Sequence, residues 1–303
     1  MKVFVAGASG TVGVPLVRAL VAAGHEVTGL TRSPEKQDEL RRIGATPALA
    51  DALDAQALRT VVLAATPSHV IHQLTALPKE GPSSESDLVA TNRLRIDGTR
   101  NLLDAAIRAG ARRFIGGSFA LLPGAETEIA AAFANEAAGA TRSMESQILS
   151  ANRSKQIEGI VLRYGLFYGP TNPGTIKMVE MVRKRRLPTV RGDRGLLPFI
   201  HIDDVVGATI AALDRGIPGS VYDIVDDKAL SFSDAVRIMA EHIGAPTPRS
   251  IPAWLFRLIS PYRARVLSTR LPLSNTKARA ELMWQPTYPT MREGFVKTFS
   301  RAA

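Results

Sequence analysis

Short apolar runs alternate with amphipathic stretches over the first two thirds of the chain. A short apolar run between turn signals predicts a buried strand, and apolar positions three or four residues apart predict a helix. Strands are predicted at 2–6, 25–30, 46–50, 61–65, 112–117 and 159–163. Buried strands separated by helices are typical of a parallel sheet covered on both faces, so we predict a doubly wound α/β fold.

The pattern changes after Pro170. Shorter helical patterns follow at 231–243, 252–259 and 275–282, with strand-like runs at 197–201 and 220–224. We therefore divide the chain into a first domain at 1–170 and a smaller C-terminal lobe at 171–303. Segments near 199–225 are expected to return to the first domain.

A glycine-rich turn joins the first predicted strand to the first predicted helix. Glycine lets the backbone approach a phosphate closely, and the free N–H groups at a helix N-terminus attract an anion. The strand–turn–helix context makes the motif a candidate dinucleotide-binding loop. Its candidate contacts are Gly7, Ser9, Gly10, Thr11, Val12 and Gly13.

Arg32 directly follows the second predicted strand. An acidic residue at this point would bind the ribose hydroxyls of NAD, whereas an arginine suits a 2′-phosphate. The sequence therefore favours NADP as the cofactor and leaves NAD open.

Two other strand ends supply candidate cofactor contacts. Asp51, followed by Ala52, comes after the third predicted strand and either holds the adenine amino group or caps the next helix. Ala64, Ala65 and Thr66 end the fourth predicted strand, where small side chains would let the cofactor lie against the backbone. Both sets are included in the predicted cofactor site.

Composition and charge narrow the function classes. The chain has 303 residues and a formal charge of +10, from 38 Lys and Arg against 28 Asp and Glu. The arginines are spread along the chain, which argues against nucleic acid. The sequence has no cysteine, which excludes thiolate metal sites, and its histidines lack ligand spacing, so we expect no metal. We find no leader and no membrane-spanning run, so we expect a cytoplasmic protein and leave a homodimer open.

Five blocks give the chain a family resemblance that covers nearly its whole length. They are VFVAGASGTVG at 3–13, DGTRNLLDAA at 97–106, VLRYGLFYGP at 161–170, FIHIDDVVGA at 199–208 and SNTKARAELMWQPTY at 274–288. Together they resemble the extended or atypical short-chain dehydrogenases/reductases of the NAD-dependent epimerase/dehydratase family. The resemblance implies a Rossmann domain, a nicotinamide cofactor and a small carbonyl or sugar-like substrate.

The chain departs from that family at its catalytic pair. The family uses a tyrosine and a lysine four residues later, whose charge lowers the tyrosine pKa. None of the five tyrosines here is followed by lysine at that spacing, and Ala140 and Met144 stand at the corresponding positions. Arg95 replaces the family's asparagine before the Gly-Thr pair. Arg142 and Glu145, three apart on the same predicted helix, are expected either near the site or paired with each other.

Ser118 and Tyr168 are the remaining candidate catalytic residues. Ser118 ends the fifth predicted strand, where the resemblance implies a catalytic hydroxyl, and Tyr168 is a candidate proton donor with packing as its alternative role. Tyr164 and Gly165 follow the sixth predicted strand, where the resemblance implies contacts to nicotinamide.

Three functions are compatible with these residues. The first is an NAD(P)-dependent oxidoreductase or epimerase/dehydratase-like enzyme acting on a small molecule without the usual catalytic pair. The second is a non-catalytic NADP-binding redox sensor or regulator. The third is a non-redox isomerase or cyclase with the dinucleotide as structural support.

Overall fold

A computed structural model describes residues 1–120, 136–271 and 273–299. The elements up to Tyr164 are β1 (Lys2–Ala6), α1 (Gly13–Ala22), β2 (Glu26–Thr31), α2 (Gln37–Arg42), β3 (Thr46–Leu49), α3 (Ala55–Ala65), β4 (His69–His72), α4 (Val89–Arg93), α5 (Thr99–Arg108), β5 (Arg113–Phe119), α6 (Glu136–Arg153) and β6 (Glu158–Tyr164).

The remaining elements begin with short paired strands and continue as a mainly helical segment. They are β7 (Leu166–Tyr168), α7 (Pro173–Arg183), β8 (Thr189–Arg191), β9 (Phe199–His201), α8 (Ile202–Arg215), β10 (Val221–Ile224), α9 (Phe232–His242), β11 (Ser250–Pro252), α10 (Ala253–Ile259), α11 (Pro261–Leu267), α12 (Thr276–Leu282) and α13 (Met291–Thr298). No helix in the described ranges is long and apolar enough to span a membrane.

The main sheet contains seven strands in the order β10-β6-β5-β4-β1-β2-β3. All of its neighbours pair in parallel. From β1 the chain runs outward to β3 and then returns to β4 on the other side of β1, so the strand order reverses between β1 and β4. The predicted doubly wound α/β fold is confirmed, and Val221–Ile224 returns from the later part of the chain as an edge strand.

Helices cover both faces of this sheet. On one face, α1 contributes Leu16 and Leu20 and α8 contributes Val205 to a buried apolar cluster. On the other face, Val62 of α3 and Ile148 of α6 belong to a second cluster. Coverage on both faces explains why the central strands are apolar on successive residues rather than on alternate ones.

The fourth predicted strand, 61–65, is wrong. These residues form the end of α3, whose N-terminus is capped by Asp54 through its carboxylate, which accepts from Gln56 N at 3.1 Å and Ala57 N at 3.0 Å. The strand is instead His69–His72, and both histidines are buried. A helical segment with two adjacent valines produced a run that resembles a strand.

The lobe has its own apolar core, which includes Val182, Met239 and Phe295. Asp226 lies within this part of the protein and is 4% exposed, yet neither carboxylate oxygen has a hydrogen-bond partner among the described residues. Burial, together with the nearby charge of Asp204, raises the Asp226 pKa well above its ordinary value. Asp226 is therefore a buried acid that favours its protonated form.

We expect Asp226→Asn to stabilise the protein near neutral pH. Because the folded-state pKa is raised, the contribution of Asp226 to stability is greatest below its unfolded pKa and is lost as pH rises through the folded pKa. Removing the ionisable group should therefore add about 1–3 kcal/mol to the free energy of unfolding at neutral pH and less in acid. Denaturant unfolding at several pH values measures this, with the exposed Asp214→Asn as control. An advantage that does not grow with pH would contradict it.

Candidate functional site

The glycine loop lies where the strand order reverses, at the carboxyl end of β1. Gly7 has φ +89°, a conformation that favours glycine. A Cβ there would lie 2.6 Å from the carbonyl oxygen of Gln73, which directly follows β4. Gly7 is thus required both by its backbone angle and by the close approach of the neighbouring strand.

The other two glycines of the motif serve different purposes. A Cβ at Gly13 would lie 2.1 Å from the Gly7 carbonyl oxygen, so this glycine allows α1 to pack directly on the loop. Gly10 is exposed, and among the described residues other than its two chain neighbours, the same oxygen, at 3.2 Å, is the one atom within 4 Å of an added Cβ. The space beside Gly10 is therefore open to a ligand from the solvent side.

Unpaired N–H groups make this loop a candidate anion site. No side chain caps the N-terminus of α1, and the backbone N–H groups of Thr11 and Val12 have no hydrogen-bond partner in the described parts of the chain. The helix dipole adds a partial positive charge at the same place.

The edge of the site continues to the end of β2. The Ser9 hydroxyl lies 3.3 Å from that of Thr31, which also accepts from Ser33 N at 3.2 Å. Arg32 stands between the last two residues, and its side chain is exposed without a hydrogen bond or ion pair to any residue in the described ranges. A cation therefore flanks the glycine loop at the strand end where the sequence predicts it.

Asp51 and Ala52, two predicted cofactor contacts, lie between β3 and α3. Asp51 is exposed and accepts from Leu53 N at 2.9 Å, but Asp54 caps α3, so the capping role predicted for Asp51 is wrong. Ala52 is buried, and its carbonyl accepts from Asn101 Nδ2 at 3.0 Å. The Ala52 carbonyl thus bonds to α5, and the contacts of Asp51 and Ala52 with the cofactor stay predictions.

Ala64, Ala65 and Thr66 lie at the opposite edge of the sheet. They end α3, and the Thr66 hydroxyl accepts from Lys2 Nζ, at the start of β1. The prediction that they border the cofactor depended on the wrong strand at 61–65. The residue that follows the true strand is Gln73, which the sequence prediction missed. Recognising Asp54 as a helix cap would have assigned 55–65 to a helix and moved the strand to 69–72.

Ser118 belongs to a buried hydrogen-bonded network. Its hydroxyl donates to Glu145 Oε1 at 2.6 Å, and Arg163 donates to both oxygens of Glu145, at 2.9 and 2.6 Å. Ser118 and Arg163 are direct neighbours on β5 and β6, and α6 places Glu145 over them. Glu145 therefore does not pair with Arg142, and the Ser118 proton is already held by a carboxylate.

Tyr164 is buried below the same edge. Its hydroxyl accepts from Gln73 Nε2 at 2.8 Å and lies 2.9 Å from the Thr209 hydroxyl. Burial raises its pKa to about 12. Next to it, a Cβ at Gly165 would lie 2.8 Å from the Pro198 carbonyl oxygen. Both residues are thus tied into the fold, and their contact with nicotinamide stays a prediction.

The structure contradicts a proton-donating role for Tyr168. This side chain is 1% exposed and stacks on Phe295, with its hydroxyl donating to the Thr290 carbonyl at 3.3 Å. Burial raises its pKa. Tyr168 therefore has the alternative role that the sequence allowed, packing in the lobe core.

The positions expected for the catalytic pair, Ala140 and Met144, are both buried on α6. Tyrosine–lysine contacts do occur elsewhere, with Lys277 Nζ 5.0 Å from the Tyr222 ring centroid, but the Tyr222 hydroxyl accepts from Ile217 N at the start of β10. That contact lies on β10, the edge strand of the sheet, which β6, β5 and β4 separate from β1.

One tyrosine of the lobe does approach the site. Tyr262 on α11 is within electrostatic reach of Arg95, and the Arg265 guanidinium lies 5.9 Å from its ring centroid. Its partners are arginines rather than a lysine, and burial raises its pKa. Tyr262 is therefore protonated at neutral pH.

His72 ends β4 beside Arg95. Burial and the Arg95 charge lower the His72 pKa to about 4, so its ring is neutral at physiological pH. Its Nε2 lies 2.9 Å from the Thr99 hydroxyl. In the part of the chain that the structure describes, no group of three or more His, Asp or Glu side chains is arranged to hold a metal ion.

The parallel order, the reversal at β1 and the glycine loop define a Rossmann-type α/β protein. A family model, the NAD dependent epimerase/dehydratase family, matches residues 3–224. The chain belongs to this family.

Curated relatives and solved structures match this chain over almost its whole length. A curated protein from Streptomyces sp, "3-diazoavenalumate denitrifying reductase", is 36% identical over 97% of this chain and 99% of its own length. A Thermotoga maritima UDP-glucose 4-epimerase structure with UDP-glucose is 20% identical, covers 98% of this chain and 97% of that one, and gives a TM-score of 0.80. The Thermus thermophilus UDP-glucose 4-epimerase complex with NAD is 22% identical over 98% and 97%, with a TM-score of 0.77. The two structures show the fold.

We expect Gly10→Val to weaken NADPH binding by about 100-fold or more while the protein stays folded. The valine side chain would occupy the open space at Gly10, and losing two charge-assisted hydrogen bonds accounts for that factor. Fluorescence titration measures binding, and thermal unfolding checks the fold. Gly207→Ala, on the exposed face of α8, is the control. Unchanged affinity in a folded Gly10→Val variant would contradict the assignment of this loop.

Proposed function

We propose that the protein is an NADP-dependent reductase whose acceptor needs no proton from the enzyme. The observation that carries this proposal is that the described residues of the site offer no hydroxyl with a lowered pKa, since burial raises the pKa of Tyr262. The resemblance assigns the positions of the catalytic pair to Ala140 and Met144, which are buried and carry no ionisable group, and the Ser118 hydroxyl donates to Glu145. An enzyme built for carbonyl reduction would need a proton donor there, because the product oxygen must gain a proton.

The glycine loop fits the pyrophosphate of a dinucleotide. Gly10 leaves open space, the N–H groups of Thr11 and Val12 are free of partners in the described structure, and α1 directs its N-terminus to the same point. Arg32 supplies the cation that a 2′-phosphate needs. When bound, reduced nicotinamide supplies a hydride, and the chain's own residues position the acceptor.

A diazonium group is an acceptor of the required kind. It carries its own positive charge, and the balance R–N₂⁺ plus H⁻ gives R–H plus N₂ involves no proton. The 36% identical relative is named a reductase of a diazo compound, 3-diazoavenalumate, and this similarity supports the same substrate class here. We therefore propose a small diazo compound as the substrate.

Purified protein with NADPH and 4-carboxybenzenediazonium should release N₂ and form benzoate. With NADPH deuterated at the transferable position, the benzoate should carry deuterium. Gly10→Val and a reaction without protein are the controls, and 4-formylbenzoate tests carbonyl reduction. Reduction of the aldehyde alone would overturn the proposal, and NADPH binding with neither reaction would support the sensor instead.

We expect a nearly flat pH profile for diazonium reduction. Neither His72 nor Arg95 changes its charge between about pH 6 and 8. The pKa of His72 is about 4, so its ring is neutral, and the pKa of Arg95 is about 10, so its side chain is charged. Ser118→Ala should change the rate by less than about tenfold, below the usual contribution of a general acid. Initial rates at several pH values measure both. A rate that falls in proportion to proton concentration would reveal an acid that the reaction needs.

We expect Arg32→Ala to reduce the preference for NADPH over NADH. A charge-assisted contact to the 2′-phosphate contributes about 1.5–3 kcal/mol, which is roughly 10- to 150-fold in selectivity. Arg18→Ala on the exposed face of α1 removes the same charge without touching the strand end. Equal losses for the two cofactors, or a wild-type preference for NADH, would refute the role of Arg32.

A further inference from the structure

A widened helical turn lies beside the proposed substrate position. Between α4 and α5 the backbone forms a π-helical turn at Leu94–Gly98, so that Val89–Arg108 is one long helix with a local expansion. Such turns are rare and are frequently found at functional sites. Arg95 is the second residue of this turn.

Two hydrogen bonds fix the position of the turn. Gln147 Nε2 on α6 donates to the Ile96 carbonyl at 3.1 Å, and His72 at the end of β4 bonds to Thr99 at 2.9 Å. The turn is therefore held between α6 and the carboxyl end of a central strand. In a doubly wound sheet this is the edge at which ligands bind.

The lobe covers the same turn from the other side. Arg265 on α11 pairs with Glu85, which lies just before α4. The same helix carries Tyr262, whose ring centroid lies 5.9 Å from the Arg265 guanidinium and whose pKa is lowered by the Arg95 charge against the larger effect of burial. The turn that carries Arg95 is thus held at the carboxyl end of β4, and α11 is paired with the segment that precedes the turn.

The charge of Arg95 is not balanced by a bonded carboxylate in the described structure. Its side chain is partly buried, and it makes no hydrogen bond or ion pair to any residue in 1–120, 136–271 and 273–299. Glu145 is within electrostatic reach, but both of its oxygens are engaged by Arg163 and one also accepts from Ser118. A partly buried cation of this kind favours the binding of an anion.

We propose that Arg95 binds a carboxylate of the substrate, with the Tyr262 hydroxyl as a second donor. The guanidinium presents two parallel N–H groups that match a carboxylate, and a protonated Tyr262 donates a further hydrogen bond. Burial lowers the Arg95 pKa only to about 10, so the side chain is charged at neutral pH. This inference rests on the proposed function for its choice of substrate, a diazo compound that also carries a carboxylate.

Cinnamate and cinnamamide form a probe pair that differs only in the charged group. Calorimetric titration of the protein saturated with NADP⁺ should show cinnamate binding more tightly than the amide. Arg95→Gln should weaken cinnamate binding roughly 10- to 150-fold, the range of charge-assisted hydrogen bonds, and leave cinnamamide and NADP⁺ unchanged. The affinity of Arg95→Lys for cinnamate should lie between those of the wild type and Arg95→Gln, because lysine keeps the charge and loses the paired N–H groups of the guanidinium. Tyr262→Phe should weaken cinnamate binding by roughly tenfold or less.

Arg93→Gln is the matched control, since this exposed arginine is two residues away on α4 and should leave cinnamate binding unchanged. The proposal is overturned if the wild type binds both probes equally, or if Arg95→Gln and Arg95→Lys bind cinnamate like the wild type. Arg95-dependent binding of cinnamate without any diazonium reduction would support the anchor and remove the proposed function. Diazonium reduction in the wild type, together with cinnamate binding that Arg95→Gln does not change, would support the proposed function and remove the anchor.

Discussion

The close approach of backbone segments at the end of β1 is the constraint on which the site depends. The carbonyl of Gly7 lies where a Cβ of Gly13 would be, and the carbonyl of Gln73 lies where a Cβ of Gly7 would be. Any side chain at Gly7 or Gly13 would push apart the loop, the first helix and the strand beyond it. The same closeness places the uncapped N-terminus of α1 beside the point where the strand order reverses. The packing of the fold and the geometry of the candidate anion site therefore depend on the same glycines.

Glu145 determines which chemistry the neighbouring strand ends can support. As a carboxylate in contact with Arg163 and Ser118, it joins α6 to β5 and β6. Breaking one partner of such a buried pair leaves a charge without compensation, so the network is favoured as a unit. As a consequence, the Ser118 hydroxyl donates its hydrogen bond to Glu145 and not to a ligand. A hydroxyl at the family's catalytic position is thus present in the sequence and engaged in the structure.

Periodicity predicted most of the sheet because its strands are short, apolar and separated by clear helices. It failed at 61–65, because Val61 and Val62 give the end of a helix the composition of a strand. The true strand at 69–72 contains two histidines, whose burial depends on the helices that cover both faces of the sheet. The role of Tyr168 failed for a related reason. Sequence shows that a hydroxyl exists, but only the packing of Phe295 against it shows that the hydroxyl faces the lobe core.

Within the described residues, the lack of an activated proton donor and the arginine without a bonded carboxylate are two parts of one electrostatic arrangement. Arg95 and Arg163 place two positive charges near the sheet edge, and Glu145 compensates for one of them. A cationic diazonium alone would be repelled there, whereas a substrate that carries a carboxylate as well would supply the missing negative charge at Arg95. The carboxylate would then hold the molecule, and the electrophilic end would be free to face the nicotinamide. On this view the enzyme contributes position and charge balance, and the acceptor group itself replaces the activation that a tyrosine and a lysine provide elsewhere in the family.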